Sequence, residues 1–278
     1  MAYRAPRFSF RHIMLQRSTF ITLSHAENPD FPEANLVDDR AGTLFKFLSS
    51  QTDPFIDLNL GPSHGGPIQD TDGIDRLIIP ANHNISALYV EQDTVANFAS
   101  PDPLHATSGS PDTSPVPGTL IDIEFDTKSS DEQYIRVGII GTDTYQIPQL
   151  ILTKVATFTA GPDLADSRDE KVANVARQIQ PTGLSPTVQL GPDQRVIEYE
   201  YPLIEGADLT LMEDLITRTG MLRPFWVDPA SFSTPPEDDE PTLWMKFRSM
   251  PSSSNTVLVP SSQSRSKAFS MRLIESLD

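Results

Sequence analysis

The sequence predicts a mainly β chain of two domains carrying one helix, and three observations lead there. Apolar residues recur at every second position in Phe55–Gly61 and Arg195–Tyr201, the period of a strand with one buried face. The 25 prolines outnumber the 14 glycines, a balance that suits many short strands joined by loops and argues against a helical bundle. One stretch, Asp208–Gly220, places Leu211, Met212, Leu215 and Ile216 at spacings of three and four, the stripe of an amphipathic helix.

In chain order, Phe20–Leu23 reads as a strand. Asn28-Pro29-Asp30-Phe31-Pro32 is a turn, and Ala34-Asn35-Leu36-Val37-Asp38 sets an apolar plug, Leu36, before a carboxylate pair. In Phe55–Gly61, Ile56, Leu58 and Leu60 share one face and Asp57 and Asn59 the other, until Gly61-Pro62 stops the strand. Leu77–Ile79 reads as buried, runs through the polar corner Asn82-His83-Asn84, and leads to a strand over Ile85–Val90, with Gln92–Phe98 as a short further strand. Pro101–Gly118 has a loop composition. Strands resume at Leu120–Phe125 and Tyr134–Gly141, and Pro148–Leu152 with Phe158 closes the first part. Residues 161–186 read as a linker with a short helix over Asp169–Arg177.

The second part opens at Thr187–Pro192. In Arg195–Tyr201, Ile197, Tyr199 and Tyr201 face one way and Glu198 and Glu200 the other. Asp208 is placed to cap the helix and Gly220 to end it. Arg223–Val227, Trp244–Phe247 and Phe269–Glu275 are the remaining strands. The domains are therefore expected at 1–160, with an N-terminal arm, and at 187–278.

Composition excludes several functions. The 38 acidic against 21 basic residues leave a net charge of −17, which speaks against nucleic-acid binding, since neutralising phosphates takes clustered Lys and Arg. No apolar run reaches the length of a membrane span, so membrane insertion is not expected. The absence of cysteine removes disulfides, thiolate zinc sites and thiol nucleophiles together. Arg4, Arg7, Arg11, His12 and Arg17 precede the first acid, Glu27. Such a leader fits a transit peptide or an ordered arm, and the expectation is an arm docking on an acidic neighbour.

The four phrases Asn28–Pro32, Ala34–Asp38, Phe55–Gly61 and Asp75–Asn84, in that order, resemble the galactose-binding-like (discoidin-like) β-sandwich, or jelly roll, of tailed-bacteriophage tail and baseplate proteins. Where that family carries an aromatic, often tryptophan, after the Asn-Leu-x-Asp phrase, this chain has Phe45 or Phe47. The strand, helix, Pro224-Phe225-Trp226 strand, Trp244 strand and closing Leu273-Ile274-Glu275 strand look like the C-terminal part of tail-tip and distal-tail proteins. The resemblance implies an N-terminal sandwich, a smaller C-terminal β-rich assembly domain with one helix, and a structural place in the virion tail. Its implied partners are a homo-oligomeric ring and other tail or baseplate proteins. Carbohydrate binding to a host surface glycan is the alternative.

Catalytic signatures are missing. There is no Gly-x-Ser-x-Gly elbow, and Ser264-x-x-Lys267 lies in a serine-rich stretch without the partner motifs its chemistry needs. His12, His25, His64, His83 and His105 are scattered without metal-ligand spacing. His83 fits a sugar or metal contact, but a hydrogen-bonded corner tying Asn82 and Asn84 to the sandwich is the expectation. Asp70-x-Asp72-Gly73-x-Asp75 begins like a calcium loop, yet Ala81 stands where the bidentate glutamate belongs. It reads as a solvated turn, and the resemblance allows a looser calcium site there or at Asp38-Asp39. Glu237-Asp238-Asp239-Glu240, between prolines, reads as a solvated loop. Trp226 and Trp244 suit a sugar cleft or subunit interface, and core packing is expected of both. A non-enzymatic protein without cofactors follows, with no catalytic, metal-ligating or ligand-binding residue assigned; the loops show no aromatic platform, and a loop aromatic such as Phe98 is the residue whose mutation would test the carbohydrate alternative.

Overall fold

The computed structural model describes residues 5–10, 20–38, 43–60, 74–125, 134–163, 168–172, 175–177, 187–189, 193–221, 223–229, 242–249, 251–255 and 266–276. The chain divides into two compact units, one spanning Arg11–Val155 and the other joining Met1–Phe10 to Ala156–Leu277.

The first unit is a β-sandwich. Strands Phe20–Leu23, Phe55–Asn59, Tyr134–Ile139, Leu88–Asp93 and Asp102–His105 form one antiparallel sheet in that spatial order, and Ile151–Thr153, Arg76–Ile79 and Ile121–Glu124 form a second. Alternation decides which side chains meet between them. Ile56, Leu58, Ile135, Val137, Leu88 and Val90 face Leu77, Ile79, Ile121 and Ile123 in one buried cluster. Full burial of each such side chain stabilises by about 1.5–3 kcal/mol. Leu36, on the short 3₁₀ turn Glu33–Leu36, is fully buried in the same cluster, and its carbonyl accepts the Leu150 N–H at 2.9 Å.

The second unit is built on a single antiparallel sheet in the order Ala156–Thr157, Arg7–Ser9, Phe225–Asp228, Leu243–Phe247, Ser266–Glu275, Gln194–Glu205, Arg168–Val172, with Ser252–Asn255 also paired to Ser266–Glu275. Ile197, Tyr199 and Tyr201 turn into its core with Phe225, Val227, Met245, Phe247, Met271 and Leu273. Leu209, Met212 and Leu215 of the helix Gly206–Thr219 are buried in that core. Gly220, with φ of 53°, ends the helix and donates its N–H to the Ile216 carbonyl at 2.9 Å.

The placement of residues 5–10 overturns the expected boundary. Arg7–Ser9 is a strand of the second unit, antiparallel to Ala156–Thr157 on one side and to Phe225–Asp228 on the other. Phe8 is fully buried there, edge-on to Phe158 at 5.3 Å and to Tyr199 at 6.4 Å between ring centroids. The sandwich is thus inserted between two paired strands of a host sheet. The other arm residues, Arg4, Arg11, His12 and Arg17, lie outside the described residues.

Four further expectations change. The linker contributes structure: Arg168–Val172 is an edge strand of the host sheet rather than a helix, and Val175–Arg177 pairs with Thr187–Gln189 in a two-stranded ribbon. An edge strand with four charged residues in five lacks the apolar period that identifies a half-buried one. The loop over 101–118 contains the edge strand Asp102–His105, where Pro103 is tolerated because one side of that strand bears no ladder. Leu88–Asp93 is one strand through Gln92, and the chain then turns over 94–100 instead of extending. Asp208 stands inside the first helical turn, not at the cap, and its carboxylate accepts the N–H groups of Thr159 and Ala160 at 3.1 and 2.8 Å.

Both tryptophans, Trp226 and Trp244, belong to the host unit, so their fluorescence reports on that unit. Phe8→Ala is expected to lower host stability by about 3–5 kcal/mol, seen as a lower urea midpoint of the tryptophan transition. An unchanged midpoint contradicts the placement of residues 5–10.

Candidate functional site

At one end of the sandwich, the connections 48–54, 80–87, 106–120 and 140–147 are tied to one another by side-chain bonds. Asn84 is central. Its amide N–H₂ donates to Asp143 Oδ2 at 2.9 Å and to the Thr144 carbonyl at 3.1 Å, and its Oδ1 accepts the Gln146 N–H at 2.8 Å. Gln146 Nε2 donates to the Asn82 carbonyl at 3.1 Å. Asp53 and Gly141 exchange two bonds: the Asp53 N–H donates to the Gly141 carbonyl at 2.8 Å, and the Gly141 N–H to Asp53 Oδ1 at 2.7 Å. The hydroxyls of Thr52 and Thr142 meet at 2.8 Å. Asp53 and Asn82 hold left-handed backbones, with φ of 48° and 77°, which their short polar side chains tolerate.

His83 is the floor of this end. It is buried, its Nδ1 accepts the Ile85 N–H at 3.1 Å, and its Nε2 lies 2.6 Å from the Thr119 carbonyl. That pairing requires the neutral tautomer with the proton on Nε2, donated to Thr119. Burial holds the imidazole below its usual pKa, opposed by the bond to Thr119. His83 is therefore the hydrogen-bonded corner anticipated from the sequence, and it presents nothing to solvent. On the next loop Asp112 accepts from the Ser114 N–H at 2.8 Å and pairs with His105 Nε2 at 3.0 Å. Burial raises the Asp112 carboxyl, the bonds from Ser114 and His105 lower it, and the net shift is downward. Among the residues open to solvent at this end are Thr52, Asp53, Asn82, Thr142 and Asp143, with Leu48 and Val116 each 57% exposed.

The outer face of the five-stranded sheet is closed by contrast. Arg136 forms a two-pronged pair with Asp57 at 2.7 and 2.8 Å, approaches Glu91 at 3.7 Å, and lies between the rings of Phe55 and Phe98 at 3.9 and 4.0 Å. Phe98 reaches it from a strained backbone, φ 48°, at the end of a turn held by Asp93, which accepts the N–H groups of Val95 and Ser100, both at 3.0 Å. Tyr89 lies flat on the backbone of Gly138, where any Cβ would come within 2.1 Å of its ring. Burial raises the Glu91 carboxyl, with Asp57 and Asp93 adding to it and Arg136 opposing. Phe98 is only 7% exposed, so it is not a platform for a sugar ring. Asp57 was legible as an outward residue of its strand, and the period of Ile135 and Val137 puts Arg136 on the outward face too. Their pairing across 79 residues carries no local signal.

The remaining sequence candidates do not converge. Trp226 and Trp244 face each other across neighbouring strands with centroids 4.9 Å apart, on the face of the host sheet opposite Phe225 and Val227. His25 bonds Ser24. Asp75 is buried, and its Oδ1 accepts the Val155 N–H at 2.8 Å, while Asp38 accepts the Thr43 hydroxyl. Lys267 pairs with Glu213 at 3.0 Å. Asp39, His64, Asp70, Asp72, Gly73, Glu237–Glu240 and Ser264 lie outside the described residues. Among the described residues no group of three or more His, Asp or Glu is placed to hold a metal ion, and no helix is long and apolar enough to cross a membrane.

No family model and no curated protein sequence matches the chain. Among solved structures it is similar to chitosan-binding module 1 of a chitosanase/glucanase from Paenibacillus sp. IK-5, at 15% identity over 52% of this chain and 99% of that one, with a TM-score of 0.39. It is similar to CBM32-1 of a family 31 glycoside hydrolase from Clostridium perfringens, at 11% identity over 52% and 99%, TM-score 0.39. A third is CpGH89CBM32-5 from Clostridium perfringens, in complex with GalNAc-β-1,3-galactose, at 13% identity over 52% and 99%, TM-score 0.38.

Two outcomes follow from this geometry. The unfolded chain protonates a histidine near pH 6.5, while the folded corner resists that proton. Stability is therefore full above that pH and falls as the pH drops from about 6.5 towards the lower folded value, by at most about 1.4 kcal/mol per pH unit. Urea midpoints by circular dichroism at pH 7.5 and 5.5 should show this slope in the wild type and lose it in His83→Gln. Arg136→Met, which leaves Asp57 and Glu91 facing each other without a cation, should cost about 3 kcal/mol in the same assay.

Proposed function

We propose that the chain is a non-enzymatic binding protein whose sandwich recognises carbohydrate through its tied loop end, displayed from a host unit that takes part in assembly. The observation that carries the reading is the Asn84 network. It holds 80–87 to 140–147 while the Asp53–Gly141 pair holds 48–54, and carboxylate, amide and hydroxyl groups stand on a frame ordered before any ligand arrives. Sugar hydroxyls are met by planar groups of this kind, and a frame already ordered reduces the cost of immobilising side chains on binding.

A second reading, a structural component of a phage tail tip, distal tail or baseplate, concerns the setting in which such a module works. It is supported by the order of the motifs along the chain and by the division into a host sheet and an inserted sandwich. The host unit would supply contacts to a ring of identical copies and to neighbouring tail proteins, and closed rotational symmetry is the expected arrangement. The location in the virion belongs to the same proposal.

On a glycan array the wild-type protein should bind defined glycans above background. Asn84→Ala, which frees 140–147 from the 80–87 corner, should lower that binding at least about tenfold, whereas Phe98→Ala should leave it in place. Absence of binding across the array contradicts the carbohydrate reading. Light scattering of the purified protein addresses assembly: a closed oligomer supports the ring.

A further inference from the structure

The four connections at the loop end contain no lysine and no arginine. Their titratable residues are Asp53, Asp112 and Asp143, the buried phenol of Tyr145, and His83, which is buried and bonded as a neutral imidazole. Asp53 and Asp143 are exposed. The described lysines and arginines on the strands of the same unit are each committed elsewhere. Lys46, across from Gln146 in the neighbouring strand pair, lies over the Phe31 ring at 4.3 Å. Arg136 is held by Asp57 between two phenyl rings, and Arg76 grips Asp122 through Nε at 2.6 Å and Nη2 at 2.5 Å. The whole chain adds a background of net charge −17.

Recognition of a carboxylate or sulfate calls for a guanidinium, an ammonium or a cluster of free N–H donors at the contact. This end offers none of the first two among its described residues, and it sets two solvent-facing carboxylates in the path of an anion. From these charges we infer, on the footing of the carbohydrate reading, that the loop end selects by charge. It accepts neutral glycans and glycans bearing a free amine, and it rejects uronates, sulfated sugars and sialic acids. Hydroxyls and an ammonium both donate to Asp53 and Asp143, whereas an anionic sugar meets like charge that no lysine or arginine of the four connections relieves, an arrangement that discriminates by repulsion. Leu48 and Val116 at the rim supply apolar contact that is indifferent to charge.

The test is binding of the full chain to gluco- and galacto-configured trisaccharides, each immobilised at equal density in neutral, 2-amino and 6-carboxylate forms. The neutral and amino forms should bind at least about tenfold more tightly than the carboxylates at low ionic strength, and the gap should narrow as salt is raised through the screening range. Leu48→Lys/Val116→Lys changes two exposed side chains and leaves the Asn84 and Asp53 bonds intact. It should raise carboxylate binding toward that of the neutral forms, with the urea midpoint confirming that the variant is folded. Carboxylate forms binding as tightly as neutral ones in the wild type would overturn the charge selection while leaving the carbohydrate reading in place. No binding to any form would overturn the carbohydrate reading itself.

Discussion

The host unit depends on a pairing between strands that lie far apart in the chain. Arg7 and Phe8 sit opposite Thr157 and Ala156, so the residues entering and leaving the sandwich are neighbours across one strand spacing. Closing a flexible loop as long as residues 11–155 costs about 4 kcal/mol or more in chain entropy. The cost is largely removed when the intervening chain folds by itself into a compact body whose ends lie together, the condition under which inserted domains are tolerated. On the host side, Phe8 makes the pairing favourable: it is fully buried among Phe158, Tyr199 and Phe225. Each aromatic pair adds about 0.5–1.5 kcal/mol beyond the area it buries. Removing that ring leaves the segment held by its backbone ladders, the Arg7–Asp228 pair and Phe10.

Within the sandwich, burial decides which polar groups are available. The Arg136 layer has the chemistry of a binding site, with aromatics, two carboxylates and a guanidinium. Its members are already satisfied by one another, and Phe98 closes over them. Breaking those contacts to admit a ligand would leave Asp57 and Glu91 near each other without their cation. The loop end has a plainer set of groups, but its bonds run between loops and leave carboxylate and hydroxyl surface facing outward. The layer is closed because its charges and rings are used on one another, and the tied end leaves polar groups exposed because its bonds run between loops.

Much of this architecture was legible wherever a residue's environment is set by its own strand. The faces of Phe55–Asn59 and Gln194–Glu205 follow from period two, the helix from its stripe, and the His83 corner from the crowding of Asn82, His83 and Asn84 between two apolar runs. What was not legible depends on long-range pairing. The short strand Arg7–Ser9 has one apolar residue facing the core, and nothing in Arg7-Phe8-Ser9 says whether it joins the sheet that follows it or one completed much later in the chain. Arg168–Val172 is four-fifths charged, and it becomes a strand through its ladder to Gln194–Glu198, which the Arg195–Asp169 pair accompanies at 2.5 Å. Asp208 looked like a cap because acids favour helix starts. Its carboxylate was drawn instead to the N–H groups of Thr159 and Ala160, nearly fifty residues upstream.

The claim on which the rest stands is that the sandwich is an insertion in a host sheet completed by residues 5–10. The direct measurement replaces residues 11–155 with a short turn joining Phe10 to Ala156, and follows the tryptophan fluorescence of the product through a urea titration. A cooperative transition with buried tryptophan emission, lost again when Phe8 is changed to alanine, is the predicted result. An excised chain that shows no such transition, while a chain beginning at residue 160 folds without residues 5–10, would contradict it.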